Sequence, residues 1–192
     1  MLEVVVGCMF SGKSEELTRR LRRAKIAGLN VVAFKPAADN RYDAEKIASH
    51  SSITFEATTF RNFDDLIAKI MKLRNKNNDK FPDVIGIDEV QFLPKDLVLF
   101  VEMIVNSGSK VILAGLDMDY LGKPFGPIPE LMAIGDKVIK LSAICVAEDE
   151  NSKICGEPAT RSYRIKLKDS GDIVQVGAAD SYQARCRKCW NK

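Results

Sequence analysis

A short apolar run that breaks into a glycine-rich loop and resumes as a helix constrains this chain more than any other feature. Leu2-Glu3-Val4-Val5-Val6 reads as a core strand, and Gly7-Cys8-Met9-Phe10-Ser11-Gly12-Lys13-Ser14 follows it directly, fitting G-x-x-x-x-G-K-[ST]. A strand before and a helix after are the context this motif requires. The glycines let the backbone curl so that its N–H groups face inward, and the helix N-terminus adds positive potential. Lys13 then reaches the β and γ phosphates of a bound nucleotide, and Ser14 offers a hydroxyl to magnesium.

The alternation of strand and helix continues through three quarters of the sequence. A helix is expected from about Lys13 to Ala27, closed by Gly28, then a strand Val31 to Phe34, which completes a βαβ unit. A polar loop Pro36 to Ser51 leads to a short strand near Thr54 to Glu56 and a helix from about Phe63 to Leu73. Lys72 to Lys80 reads as a solvated connection. Next come a buried strand Val84 to Asp88, a helix from about Pro94 to Asn106 stopped by Gly108, and a strand Val111 to Leu116. The sum is a parallel sheet wrapped by helices, the α/β class.

Beyond Asp117 the pattern changes to a loop punctuated by Gly and Pro, a short helix around Pro129 to Ile134 and a strand Val138 to Leu141. The last fifty residues hold four of the five cysteines, with short β-like pieces at Arg164 to Leu167 and Ile173 to Val176. Such a segment has too little apolar material for a large core and reads as a small metal-dependent module. The domain boundary is expected near residue 142, giving a nucleotide-binding domain over 1–142 and a zinc module over 143–192.

Composition narrows the function classes. The chain has 192 residues, 46% hydrophobic and 29% charged, which suits a folded protein. A formal net charge of +3 demands neither nucleic acid nor a membrane as partner. The longest greasy stretch, Leu97 to Val105, is broken by Glu102, so no membrane span is expected. The N-terminus lacks a basic region and reads as a strand rather than a signal peptide, so a cytoplasmic location is expected. An odd number of cysteines without an export signal favours metal ligation over disulfides.

Val84-Ile85-Gly86-Ile87-Asp88-Glu89 is an apolar strand ending in two carboxylates, and ligands of open α/β sheets gather at the carboxyl ends of strands. Asp88 suits magnesium through water, and Glu89 suits a base that takes a proton from whatever attacks the γ-phosphate, water or an alcohol. Cys186-Arg187-Lys188-Cys189 is expected as a zinc knuckle, with Cys145 and Cys155 available as the remaining thiolates, against a reading of the four as buried or redox cysteines. Nine residues separate Cys145 from Cys155, against the usual two to four of a knuckle. Cys8, inside the phosphate loop, is expected to be a non-ligand.

Phosphate loop, acidic pair and zinc module in this order resemble the type II thymidine kinases over nearly the whole chain. The marks are Met9-Phe10-Ser11-Gly12-Lys13-Ser14, Phe34-Lys35-Pro36, Asp39-Asn40-Arg41-Tyr42, Ile87-Asp88-Glu89-Val90-Gln91-Phe92, Ala114-Gly115-Leu116-Asp117, Lys123-Pro124-Phe125-Gly126 and Cys186-Arg187-Lys188-Cys189. The resemblance implies a RecA-like α/β domain with a zinc-bound lasso domain, and transfer of the ATP γ-phosphoryl to the 5′-hydroxyl of thymidine with magnesium. It puts Glu89 at the catalytic-base position, and Asp39, Asn40, Arg41, Asp88, Val90 and Gln91 along the nucleotide phosphates with residues 7–14. It assigns the nucleoside to Met9, Phe92, Leu116, Tyr120 and Phe125, with the lasso stretch Ile173, Val174, Gln175, Val176 and Gly177 gripping thymine through its backbone and Tyr182 beside it. A homotetramer and inhibition by dTTP are implied as well.

This sequence departs from the family pattern at Cys8, where proline is usual, and the expected consequence is activity sensitive to thiol reagents. Asn40 stands where Thr is common, and Ala178 follows Gly177 where a second glycine is frequent. The basic run Arg19 to Lys25 reads as a solvated helix face, and His50 is given no role. Two other readings stay open on sequence grounds: an ATPase in which Glu89 activates water and the zinc module docks a partner, and a zinc-ribbon nucleic-acid binder. Against the second, the module carries seven acidic residues beside its basic ones.

Overall fold

The structure, a computed structural model, describes residues 1–37, 46–48, 54–165 and 181–191. Its centre is a six-stranded sheet built from β1 (Leu2–Gly7), β2 (Val31–Pro36), β5 (Thr58–Phe60), β6 (Val84–Ile87), β7 (Lys110–Leu116) and β8 (Lys137–Leu141). The spatial order is β5-β2-β6-β7-β1-β8, and every pairing is parallel. Parallel strands are buried on both faces, which explains why β1 is apolar apart from Glu3 and has all six residues buried.

The period of two along each strand divides the core. Leu2, Val4 and Val6 of β1, Ile85 and Ile87 of β6 and Val111 and Leu113 of β7 face α2 (Phe63–Lys76), α3 (Leu97–Asn106) and α4 (Ile128–Ile134), meeting Leu66, Ile70, Leu97, Val101, Ile104, Ile128 and Leu131. Val5, Val84, Ile112 and Ala114 face the opposite way, against Leu17 and Leu21 of α1 (Lys13–Ile26). Gly86 brings α1 close, since a Cβ there would lie 2.7 Å from a methyl of Leu21. On that same face Glu3 is buried, held by Arg20 and by Lys110 at 2.6 Å, and the two cations keep its carboxylate below the usual range against the cost of burial.

Several boundaries differ from expectation. Lys46–Ala48 forms β3, inside what the sequence presents as a polar loop, and pairs antiparallel with β4 (Thr54–Glu56), apart from the main sheet. β5 gives no alternating pattern in only three residues and goes unread from sequence. Helix α2 runs to Lys76, through the expected solvated connection. Its last turn has no apolar stripe but is closed by Arg74, which caps the carbonyl of Asp79 at 3.1 Å and lies over the Phe81 ring. Helix α3 starts at Leu97 rather than Pro94, because Pro94 to Asp96 form a turn ahead of it.

The C-terminal part is a small β unit: β9 (Ala143–Ile144) with β10 (Pro158–Ala159), and β11 (Arg161–Arg164) with β12 (Tyr182–Arg185), followed by α5 (Arg187–Trp190). The nine residues between Cys145 and Cys155 close as a hairpin. Asp149 Oδ1 accepts from the N–H groups of Asn151 and Lys153, and Asp149 and Lys153 pair through their backbones. Cys155 N donates to Ala147 O at 2.8 Å, which returns the chain beside its start. The wide spacing is therefore compatible with all four thiols meeting. Among the described residues no helix is long and apolar enough to cross a membrane.

Candidate active site

The carboxyl ends of β1, β6 and β7 converge. Gly7 ends β1 with φ +153°, and a Cβ there would lie 2.5 Å from the Leu141 carbonyl oxygen. Gly12 caps α1 in the left-handed region at φ 81°, and Phe10 also has positive φ. Inside the loop the Cys8 carbonyl accepts from Ser11 Oγ at 2.8 Å and from Lys13 Nζ at 2.7 Å. Burial pushes the Lys13 ammonium down, with Glu89 and Asp88 pulling it back up.

Asp88 and Glu89 stand where β6 ends. Asp88 is buried, accepts a hydrogen bond from Ser14 and titrates at about 7, raised by burial and then by the Glu89 charge. This pairing of hydroxyl and carboxylate is the donor set that a hydrated magnesium takes in phosphate-loop proteins, so the residues present fit that ion. Glu89 lies in the left-handed region at φ 55°, a conformation that costs a non-glycine residue about 1 kcal/mol. Such strain persists where the surroundings fix it, and here Gln91 does so. Its Nε2 donates to Glu89 Oε2 at 2.5 Å, while its Oε1 accepts from Leu116 N at 3.0 Å.

Without magnesium, Asp88 binds a proton in the folded state between pH 3.8 and about 7 that it has lost in the unfolded chain. Its contribution to stability is therefore complete below pH 3.8 and lost as the pH rises through 7. Asp88→Asn removes this term, so the variant's melting temperature should gain on the native chain between pH 5 and pH 8 in magnesium-free buffer. An equal difference at both pH values would contradict the raised pKa.

Phe92 and Phe125 stack edge to face with ring centroids 5.6 Å apart beside this point. Leu116 ends β7, and Tyr120 follows on a loop whose Asp119 Oδ1 accepts from the N–H groups of Leu121 and Lys123 at 2.9 Å. Arg164 lies over the Tyr120 ring at 5.3 Å. Tyr182 is buried at the start of β12. Gly126 takes φ 53° where a Cβ would overlap the Gln91 carbonyl oxygen. Gly126→Ala should displace Gln91 and with it Glu89 and Phe92, costing roughly 1–3 kcal/mol of stability from backbone strain. Thermal denaturation of the variant checks this.

Val90 sits fully buried in the core, and the Gln91 amide is engaged as described. Asp39, Asn40 and Arg41, and the stretch Ile173, Val174, Gln175, Val176 and Gly177, lie outside the described residues. The expected thiol sensitivity at Cys8 is corrected: its thiol is buried, donates to the Ala159 carbonyl at 3.2 Å, and is pushed up mainly by burial. Asp117, paired with Lys140 at 2.6 Å where β7 ends, and Ser162, whose Oγ accepts from Met9 N at 3.1 Å, are contacts no spacing in the sequence announces.

The four remaining cysteines meet. The Sγ atoms of Cys145, Cys155, Cys186 and Cys189 all lie within 4.8 Å of one another, and Cys155 and Cys186 are 4.0 Å apart. Four sulfurs at about 2.3 Å from a tetrahedral zinc would stand about 3.8 Å apart, so the set fits that ion. The Cys189 N–H points at Cys186 Sγ at 3.5 Å and is the chief cause lowering that thiol to about 7. Cys189 is pushed up to about 12, first by its contact with Cys186.

Phosphate loop, acidic strand end and parallel sheet flanked by helices define a P-loop α/β nucleotide-binding protein. The family model for thymidine kinase matches residues 1–190, and the chain belongs to that family. Among solved structures, the chain is similar to a DNA replication initiation factor at 16% identity, covering 73% of this chain and 39% of that one, with a TM-score of 0.42. It is also similar to the replication initiator DnaA bound to AMPPCP and single-stranded DNA, at 17% identity, 79% and 41% coverage and a TM-score of 0.42. Domain III of the Thermotoga maritima replication initiation protein DnaA gives 17% identity, 73% and 54% coverage and a TM-score of 0.42. The chain spans from 39% to 54% of the length of these structures.

Proposed function

We propose that this chain transfers the γ-phosphoryl group of ATP to the 5′-hydroxyl of thymidine, giving dTMP and ADP. The observation that carries the reading is Glu89, clasped by Gln91 at the carboxyl edge of the sheet, beside a phosphate loop and a pair of aromatic rings. The backbone of residues 7–14 cradles the phosphates and Lys13 neutralises charge on the β and γ groups. Ser14 and Asp88 would hold magnesium, which when bound would neutralise charge on the phosphate oxygens. Met9, Phe92, Leu116, Tyr120 and Phe125 surround the nucleoside and exclude water from the γ-phosphate. Glu89 takes the proton of the 5′-hydroxyl as that oxygen bonds to the γ-phosphorus. The bond from phosphorus to the β-bridging oxygen breaks, and its electron pair leaves on ADP.

The rest of the reading rests on family membership. Asp39 to Arg41 serve the phosphates. Residues 173–177, with Tyr182, form a lasso over thymine within a zinc-bound domain spanning 143–192. The active assembly is a cytoplasmic homotetramer inhibited by dTTP, with no nucleic-acid or membrane partner. ADP formation from ATP and magnesium, with and without thymidine, tests the activity. Strong thymidine dependence supports it. Turnover indifferent to thymidine overturns it in favour of an ATPase, and salt-sensitive DNA binding without turnover would favour a nucleic-acid binder.

A further inference from the structure

We propose that Ser162 and Trp190 are positioning residues that couple the four-cysteine centre to the phosphate loop, so that metal and nucleotide binding reinforce each other. The inference rests on the nucleotide-binding reading above and extends it to residues outside the site. The phosphate loop is pinned from behind at two consecutive residues. Cys8 Sγ donates to Ala159 O, at the end of β10, and Met9 N donates to Ser162 Oγ, on β11. Both Cys8 and Ser162 are buried, which limits the access of water to the two contacts.

From Ser162 the connection runs to the metal ligands by two routes. β11 pairs with β12, where Ser162 stands opposite Ala184, two residues before Cys186. Ser162 O also accepts from Trp190 Nε1 at 3.2 Å, and Trp190 directly follows Cys189 on α5. The indole of Trp190 packs on Gly122, where a Cβ would lie 3.0 Å from the ring, within the loop that carries Tyr120. Cys8 completes the linkage by packing in the same cluster as Cys145, Cys186 and Cys189. A metal that fixes the four thiols therefore fixes β12 and α5, and through Ser162 and Trp190 the back of the phosphate loop and one wall of the aromatic site.

Coupling of this kind is reciprocal: if the metal favours nucleotide binding, nucleotide must hold the metal by the same factor. The test uses the intact zinc-loaded chain, with ADP and magnesium as probe and zinc release to a chromophoric chelator as readout. At equilibrium with the chelator, saturating ADP should raise zinc affinity about tenfold in the native chain and by less than about threefold in Ser162→Ala, a buried hydrogen bond being the difference. Ser162→Ala at full zinc content should bind ADP about tenfold more weakly, and Ser162→Thr, which keeps an acceptor hydroxyl, should recover most of that loss. Trp190 is the chain's single tryptophan, so its emission should shift on chelation and shift less with ADP bound. Zinc affinity indifferent to ADP in a native chain that binds ADP overturns the coupling and leaves the nucleotide reading intact. Ser162→Ala that binds ADP as the native chain does, or that loses ADP affinity only in step with its zinc, overturns the positioning role of Ser162. A native chain that does not bind ADP overturns both.

Discussion

Glu89→Gln should reduce thymidine-dependent ADP formation by about 10²- to 10⁴-fold, the range expected when a positioned general base is removed. The substitution keeps the volume of the side chain, and an amide oxygen can still accept from Gln91 Nε2, so the left-handed turn and the core beneath it are retained. What it removes is the ability to take a proton as the nucleophile attacks. The loss should therefore fall on kcat, with the KM for ATP and for thymidine changed little. Zinc content and thermal stability should stay at native values. Steady-state kinetics with each substrate varied in turn read this directly, and a variant that keeps more than a tenth of native kcat would remove Glu89 from the role of base.

Gln91 shows why one part of this site was legible in the sequence and another was not. The phosphate loop is a contiguous motif, and the acidic pair ends an apolar strand, so local patterns are enough to place residues 7–14, Asp88 and Glu89 together. The amide of Gln91 works instead between a residue two positions earlier and the backbone of Leu116 in a different strand. Such a contact exists only once β6 and β7 lie side by side. Ser162 is the same case at greater range, since no periodicity links it to Met9, 153 positions away. The strands missed by the sequence reading, β3, β5, β9, β10 and β12, have two to four residues each, and so short a run carries little of either period. Cys8 is the instructive error. A cysteine in a phosphate loop suggests reactivity, but burial against the small β unit makes this thiol a packing residue.

The small β unit leads to the second large effect. Among the described residues its buried cluster consists of Cys8, Ala143, Cys145, Ala147, Ala159, Ala184 and Cys186, with no leucine, isoleucine, valine or phenylalanine. An alanine buries too little apolar surface to offset the ordering of its own backbone by a wide margin. Among the described residues the two sheets of the unit have two strands each, a size that is marginal without further support. A thiolate-bound zinc is worth roughly 10–16 kcal/mol to a small fold of this kind, far more than these side chains can supply. Chelation, or Cys186→Ser, should therefore unfold residues beyond 142 while the six-stranded sheet, with its own core on both faces, stays folded. Limited proteolysis should cut the metal-free chain within the C-terminal unit and leave a stable N-terminal fragment, and thymidine-dependent turnover should disappear with the unit. Cys8→Ala should keep its zinc, because Cys8 packs beside the ligands and is not one of them. A metal-free chain that resists protease as well as the zinc-loaded one would mean that the alanine cluster and the contacts of Trp190 hold the unit without metal.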